Sequence, residues 1–279
     1  MSKVCKVRVV SVGDRAAVHA MSSTEEELYV LCQRVRNNIE LEIRVHSNAD
    51  FTFQHCFLMP SLTFDHSTGD MIACAEHKCL YLVVYSLVDT SRVFKIMTHN
   101  KSARPDVTKW QFPESPLKLS LTRQASDVLL LVAFHTGEWV EVNEQGQRVR
   151  KCVLQTPVDV YLHYAVALNV GQYVVSYREK SCMRRKMISV VDYNGTIMQS
   201  YGNSWIPWRR LGGPGHMAVD SDGFVFVNDN TNSQVVLLNP FLQFVRSIAT
   251  EKPSMNLHFD QKSRRLFVCH IREVSVFQL

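Results

Sequence analysis

The sequence has no long hydrophobic run. In its 279 residues no unbroken apolar stretch is longer than Val128–Phe134, far short of the ~20 residues a membrane-spanning helix needs. The N-terminal Met-Ser-Lys-Val-Cys-Lys-Val-Arg is basic but lacks the apolar core of a secretory signal, so a non-secreted, cytoplasmic protein with no membrane association is expected. Eight cysteines are present without a single Cys-x-x-Cys pair. Cys74 and Cys79 alone are close in sequence, and no second pair completes a zinc ribbon, which predicts buried, reduced thiols. Paired catalytic carboxylates, a nucleophile elbow and a Gly-rich phosphate loop are missing too, so neither catalysis by this chain nor a cofactor is expected. There is no low-complexity segment, heptad run or clear amphipathic helix.

What is there is short and β-rich. Apolar residues make up 46% and charged residues 20%, ordinary for a globular chain with a sizeable core. The clearest stretch is Leu211–Ala249. Within it Met217–Asp220, Phe224–Asn228, Gln234–Leu238 and Gln243–Ala249 read as four strands separated by Gly, Asn, Asp and Pro, the signal of an antiparallel meander. A unit of about forty residues cannot bury both its faces alone, which predicts copies of itself.

The copies are found by phase. Val219-Asp220, Phe64-Asp65 and Phe259-Asp260 each precede a short turn and an apolar strand, so each Asp can bond the amides of the turn that follows. Blades of four strands (a to d) then fall at about 17–58, 61–97, 117–154, 164–201 and 217–249. In the second we place strands at Ser61–Asp65, Asp70–Ala75, Leu80–Leu87 and Arg92–Met97. The last blade, 256–279, ends one strand short, and the unpartnered run at 4–12 supplies it, removing two exposed edges. The expected fold is all-β: a single six-bladed β-propeller whose last blade is closed by the N-terminal strand. The longer connections, Thr98–Pro116 and Gly202–Gly215, carry Trp110, Trp205 and Trp208 and are expected to pack back on the blades.

Pro214, Ala218, Val219, Asp220, Gly223, Val227, Asp229, Asn232 and Val235 resemble the NHL repeat. It has the form P-x-G/h-I-A-V-D-x-x-G-x-I-Y-V-A-D-x-x-N-x-R-V. Asn228 and Gln234 depart from that pattern, and only the fifth blade matches it well. Taken whole, the chain is similar to the C-terminal propeller of tripartite-motif ubiquitin ligases. The resemblance implies a protein- or RNA-recognition module whose ligase activity, if any, lies outside this chain.

In such a meander the b–c and d–a connections emerge on one side, the a–b and c–d turns on the other. On the first side we place Arg34, Arg36, Lys78, Arg178, Lys180, Arg184, Arg185, Lys186, Arg209 and Arg210, with Lys101, Arg104 and Lys109 from a long connection. That side is expected to carry an excess of positive charge in a chain of net charge +5. Tyr177, Trp205, Trp208 and Trp110 offer aromatic surfaces beside it. The patch fits a protein partner anchored by Trp and Arg, or single-stranded RNA with phosphates on the cations and bases on the rings. A third reading takes His19, His163, His216 and His258, all on innermost strands, as metal ligands for a lyase or hydrolase. Asp65, Asp220, Asp260 and the Asp229–Asn232 pair read as turn-fixing residues. The domain is expected to be monomeric.

Overall fold

The structure is a computed structural model describing residues 5–11, 16–35, 39–59, 66–86, 92–98, 105–124, 127–181, 186–202 and 211–279. Among these there is no α-helix. Strand β1 (Cys5–Ser11) comes first in the chain. Four strands follow as one antiparallel sheet, β2 (Ala16–Ser23), β3 (Glu27–Val35), β4 (Ile39–Ser47) and β5 (Phe53–Leu58). The next sheet is β6 (His66–Cys74), β7 (Cys79–Ser86), β8 (Arg92–Met97) and β9 (Val107–Gln111). A third holds β10 (Pro116–Gln124), β11 (Asp127–Phe134), β12 (Glu138–Val142) and β13 (Arg148–Val153). The fourth holds β14 (Val160–Asn169), β15 (Gln172–Glu179), β16 (Lys186–Asp192) and β17 (Ile197–Tyr201). The fifth is β18 (Pro214–Val219), β19 (Val225–Asp229), β20 (Gln234–Leu238) and β21 (Phe244–Ala249). In the sixth, β22 (Asn256–Asp260), β23 (Arg265–Cys269) and β24 (Glu273–Gln278) are completed by β1, which pairs antiparallel with β24 from Cys5↔Gln278 to Ser11↔Glu273. The all-β, six-bladed propeller with an N-terminal closing strand is the fold observed.

Burial explains why these residues choose strands. β11 and β12 are buried along almost their whole length, whereas β13, the outermost strand of that sheet, is mostly exposed. A strand covered on both faces reads as a continuous apolar run, and Val128–Phe134 is that run. The outermost strands β5, β17 and β21 likewise bury few of their residues.

Two compact units make up the chain, one of Met1–Pro116 with His258–Leu279, the other of Leu117–Leu257. In the first, Leu31, Ile43 and Phe57 pack with Met71, Leu80 and Ile96 in one core, while Val10, Val18 and Val30 pack with Phe267 and Val276 in another. In the second, Trp139 and Leu131 pack with Leu162, Tyr173 and Val191, and Tyr164 and Ile188 pack with Met217, Val227 and Leu238. Three of these cores join a sheet to its sequence neighbour, and the core around Val10 and Phe267 joins the first sheet to the sixth.

Asp220 accepts from the amides of Asp222 (3.0 Å) and Phe224 (2.8 Å), and Asp260 from that of Lys262 (3.0 Å). Both are the amide-binding turn residues the spacing predicts; Asp65 lies outside the described residues. Asp229 is fully buried, accepting from Gly212 and Gly213 (2.9 and 3.0 Å) and from Asn232 (2.7 Å).

The second sheet departs from the sequence reading. Asp70–Ala75 is not its second strand but part of its first, because Thr68-Gly69-Asp70, which reads as a turn, is a β-bulge: the register with β7 shifts between Thr68 and Asp70. The whole sheet moves by one strand, and its outermost member is β9, which the reading left in an insertion. Trp110 on β9 is 8% exposed and packs at 5.5 Å on Tyr81. Ser61–Asp65 lies outside the described residues.

Gly195 closes the β16–β17 turn with a positive φ of 83°, and a Cβ there would meet the Val153 carbonyl oxygen at 1.9 Å. Gly171, with φ of 75°, has only Tyr193 Cβ near it, at 3.9 Å. Both pay the left-handed cost on becoming alanine, so the difference between them isolates the clash. Gly171→Ala should cost about 1 kcal/mol and Gly195→Ala roughly 3 kcal/mol or more, read as urea midpoints at unchanged slope. Equal costs would refute this account.

Candidate functional site

The corrected phase of the second sheet changes the charge map. Lys78 lies in the Ala75–Lys78 turn between β6 and β7, an a–b turn, so it belongs to the side opposite the one expected. Lys109 sits within β9, and Lys101 and Arg104 lie outside the described residues. So do Arg36, Arg184, Arg185, Trp205, Trp208, Arg209 and Arg210. Arg34 is described by its backbone alone, opposite Ala16 and Glu40 in the β3 ladders.

Tyr177, Arg178, Lys180 and Lys186 are described in full on β15 and β16 or the connection between them. Tyr177 is buried at 5% exposure, with its hydroxyl 3.2 Å from Ser189 Oγ. It is a core residue and offers no stacking face, a correction to the sequence reading. Strand alternation is the reason, since Tyr177 lies on the opposite face of β15 from its neighbour Arg178. Lys186 is half-buried, and its ammonium donates to the Gly212 carbonyl.

Arg178 and Lys180 are organised by a residue the sequence reading missed. Arg178 is the register partner of Tyr161 on β14. Its guanidinium carbon stands 5.1 Å from the centre of the Tyr161 ring, and Lys180 Nζ stands 5.5 Å from it. Lys180 Nζ also reaches Asp159 at 3.5 Å, and its amide donates to the Asp159 carbonyl at 2.8 Å. His135, in the turn between β11 and β12, meets the Tyr161 ring edge-on at 6.4 Å. The sequence reading began this strand at Tyr164, which left Tyr161 outside it. Only the β14–β15 register places the ring against Arg178.

Magnitudes say what this cluster is for. Cation–aromatic contacts at exposed sites are worth about 0.5–1 kcal/mol. An exposed ion pair such as Lys180–Asp159, whose side chains are 41% and 85% exposed, contributes ~0–1 kcal/mol. The cluster therefore does little for folding. What it does is hold two cations over one ring, Arg178 half-buried and Lys180 exposed. The charge is felt nearby: burial first, then Arg178, His135 and Lys186, lower the pKa of His163 to about 4. His135 is lowered by burial and by Arg178 as well. Two neutral imidazoles beside two fixed cations suit an acidic group from outside.

The histidines read as metal ligands are placed differently. His19 and His163 occupy bulges, where the register shifts between Val18 and Ala20 and between Leu162 and Tyr164. His216 packs on Tyr164 at 4.1 Å, and His258 Nε2 lies 2.8 Å from Ser23 Oγ. Among the described residues no group of three or more His, Cys, Asp or Glu side chains could hold a metal ion.

The depressed His163 has a pH signature. The unfolded chain, near the ordinary value of 6.5, takes up a proton before the folded one does. Stability is therefore full above about 6.5 and is lost as the pH falls toward 4. His163→Gln should shrink the drop in urea midpoint across that window while leaving the midpoint above it little changed. An identical pH profile in both proteins would contradict the assignment.

No protein-family model matches the sequence, and no curated protein matches it. Solved structures do match. A protein of unknown function from Bacteroides thetaiotaomicron superposes with a TM-score of 0.68 at 11% identity, over 99% of this chain and 75% of that one. Raptor from Chaetomium thermophilum gives 0.64 at 10% identity, over 98% of this chain and 28% of that one. The WD40 β-propeller domain of Doa1 gives 0.62 at 9% identity, over 100% and 98%. At such identities the likeness shows the fold alone, and the fold is a six-bladed β-propeller.

Proposed function

We propose that this protein is a non-catalytic recognition module that binds a protein partner through the b–c and d–a side of its blades, with the Tyr161–Arg178–Lys180 cluster as an anchor. The observation that carries the reading is the stacking of both cations on one ring. Tyr and Arg are enriched among interface anchors, and pre-ordered side chains lose less entropy when a partner docks. The two cations and neutral His163 favour an acidic segment. The NHL-like residues of the fifth blade support a role like that of the substrate-recognition propellers of tripartite-motif ligases, with any ligase chemistry outside this chain. Six free cysteines among the described residues fit work in a reducing compartment such as the cytoplasm. No helix among the described residues is long and apolar enough to cross a membrane.

The test compares the full chain with a variant carrying Tyr161→Ala, Arg178→Glu and Lys180→Glu as baits in a cell lysate. Washing after nuclease at roughly 0.5 M salt screens exposed charges beyond about 4 Å. The wild type should retain protein partners that the variant loses at least about thirtyfold, as for an interface hot spot. If the captured material vanishes with nuclease in both, the RNA reading replaces this one. Equal capture by the two baits would sink the proposed anchor.

A further inference from the structure

Away from the cationic cluster, on the a–b side of the second sheet, β6 and β7 bring two thiols together. The four-residue turn Ala75–Lys78 joins the strands, and Cys74 and Cys79 are the register pair that closes the ladder beneath it. Directly opposed residues on antiparallel strands project to the same face with Cα atoms ~4.5–5.5 Å apart, within the ~4.4–6.8 Å a disulfide requires. Both are reduced thiols and almost wholly buried. Among the described residues no other cysteine has a cysteine as its ladder partner.

Their surroundings separate them from the other thiols. Cys32 and Cys152 donate to backbone carbonyls, as buried structural cysteines do. Cys74 instead donates to a carboxylate oxygen, Glu76 Oε2, at 3.7 Å. Cys79 bonds to Cys74, and that bond, ahead of burial, pushes its own thiol pKa up. The result is a relay from the Cys79 thiol to the Cys74 sulfur to the Glu76 carboxylate. Glu76 can take the Cys74 proton as the Cys74 sulfur attacks an electrophile, while the Cys79 S–H supports the charge developing on that sulfur. Cys74 also lines a cavity of about 370 Å³, shared with Thr24, Glu27, Tyr29, Lys78 and Thr98. That volume admits a small oxidant.

We propose that Cys74 and Cys79 form an oxidant-responsive dithiol, in which a small hydroperoxide entering this cavity drives closure of a disulfide across β6 and β7. The Cys74 sulfur attacks the distal peroxide oxygen. The O–O bond breaks, the alcohol or water leaves with the proton taken by Glu76, and Cys74 becomes a sulfenic acid. The Cys79 sulfur then attacks the Cys74 sulfur, an S–S bond forms, and hydroxide leaves with the Cys79 proton as water. Two electrons pass from the pair of thiols to one peroxide.

The experiment exposes the full folded chain to limiting hydrogen peroxide, alkylates the remaining thiols and maps them by mass spectrometry. The expected product has lost two alkylatable thiols, both within one cross-linked 74–79 peptide, and regains them with dithiothreitol. Cys56, the half-buried free cysteine, should remain a thiol at that dose. In Cys79→Ser the sulfenic acid has no partner and should be trapped at Cys74 by dimedone. In Cys74→Ser oxidation at Cys79 should be slower by about tenfold or more, since the Cys79 thiol stays buried and has no carboxylate to take its proton. Oxidation of Cys56 ahead of the pair, or over-oxidation of wild-type Cys74 without a 74–79 link, would overturn the proposal. Both readouts come from the wild-type protein and so stand even if a serine variant fails to fold.

Discussion

A strand from one end of the chain supplies the fourth member of a sheet whose other three come from the opposite end, and much of the first unit depends on that ladder. Without β1, β24 would present a bare edge of amides and carbonyls, which invites pairing with another chain. With it, the sixth sheet is full width and can dock on the first. Val10 of β1 joins Val18, Met21, Phe267 and Val276 in one core. The docking is also polar: the Val18 amide donates to the Ile271 carbonyl at 2.7 Å, and Asn48 reaches Asp260 at 2.9 Å. Arg265 donates to the Asn48 carbonyl at 2.8 Å. These bonds join residues more than two hundred positions apart in sequence, so the chain ends must meet before they form. Such long-range closure is a slow folding step by its topology.

The innermost strands share a second device. The register of β2, β6, β14 and β18 with its neighbour slips at His19, at Gly69, at His163 and across Gly215-His216, and β14 slips a second time at Leu168. A bulge adds twist and re-aims the side chains beyond it. In β14 the bulge at His163 separates Leu162, paired with core Tyr177, from Tyr164, paired with Ser176. Tyr161, on the near side of it, is half-buried with Arg178 and Lys180 over its ring. The same irregularity that shapes the blade thus positions the candidate site, and such register shifts hold three of the four histidines that the sequence singles out.

Where function could sit was less legible than how the chain folds. Arg178 and Lys180 stand out in the sequence as members of a basic run, and they do form part of a surface cluster. Tyr177 stands out equally and lies in the core, while Tyr161 was hidden because its strand begins earlier than the apolar pattern shows. Choosing between two tyrosines on adjacent strands requires the pairing register, and a shift of one residue exchanges core for solvent. The dithiol tells the same story. Cys74 and Cys79 are visibly close in sequence, but an apparent turn at Thr68–Asp70 misplaced the strand that carries Cys74, and their opposition appeared only in the ladder.

By itself the sequence determined the fold class, the strands of the fifth blade to within a few residues, the turn-fixing roles of Asp220, Asp229 and Asp260, and the N-terminal strand's place beside Glu273–Gln278. These follow from local chemistry: β-branched and aromatic runs, side-chain oxygens that cap turns, and an odd strand at each end that must pair. Tertiary structure alone decided which cations share a ring, which tyrosine is buried, that β9 completes the second sheet, and that two cysteines face one another. Each of those depends on register and bulges. They are set by packing between strands, and a single strand's own residues do not encode them.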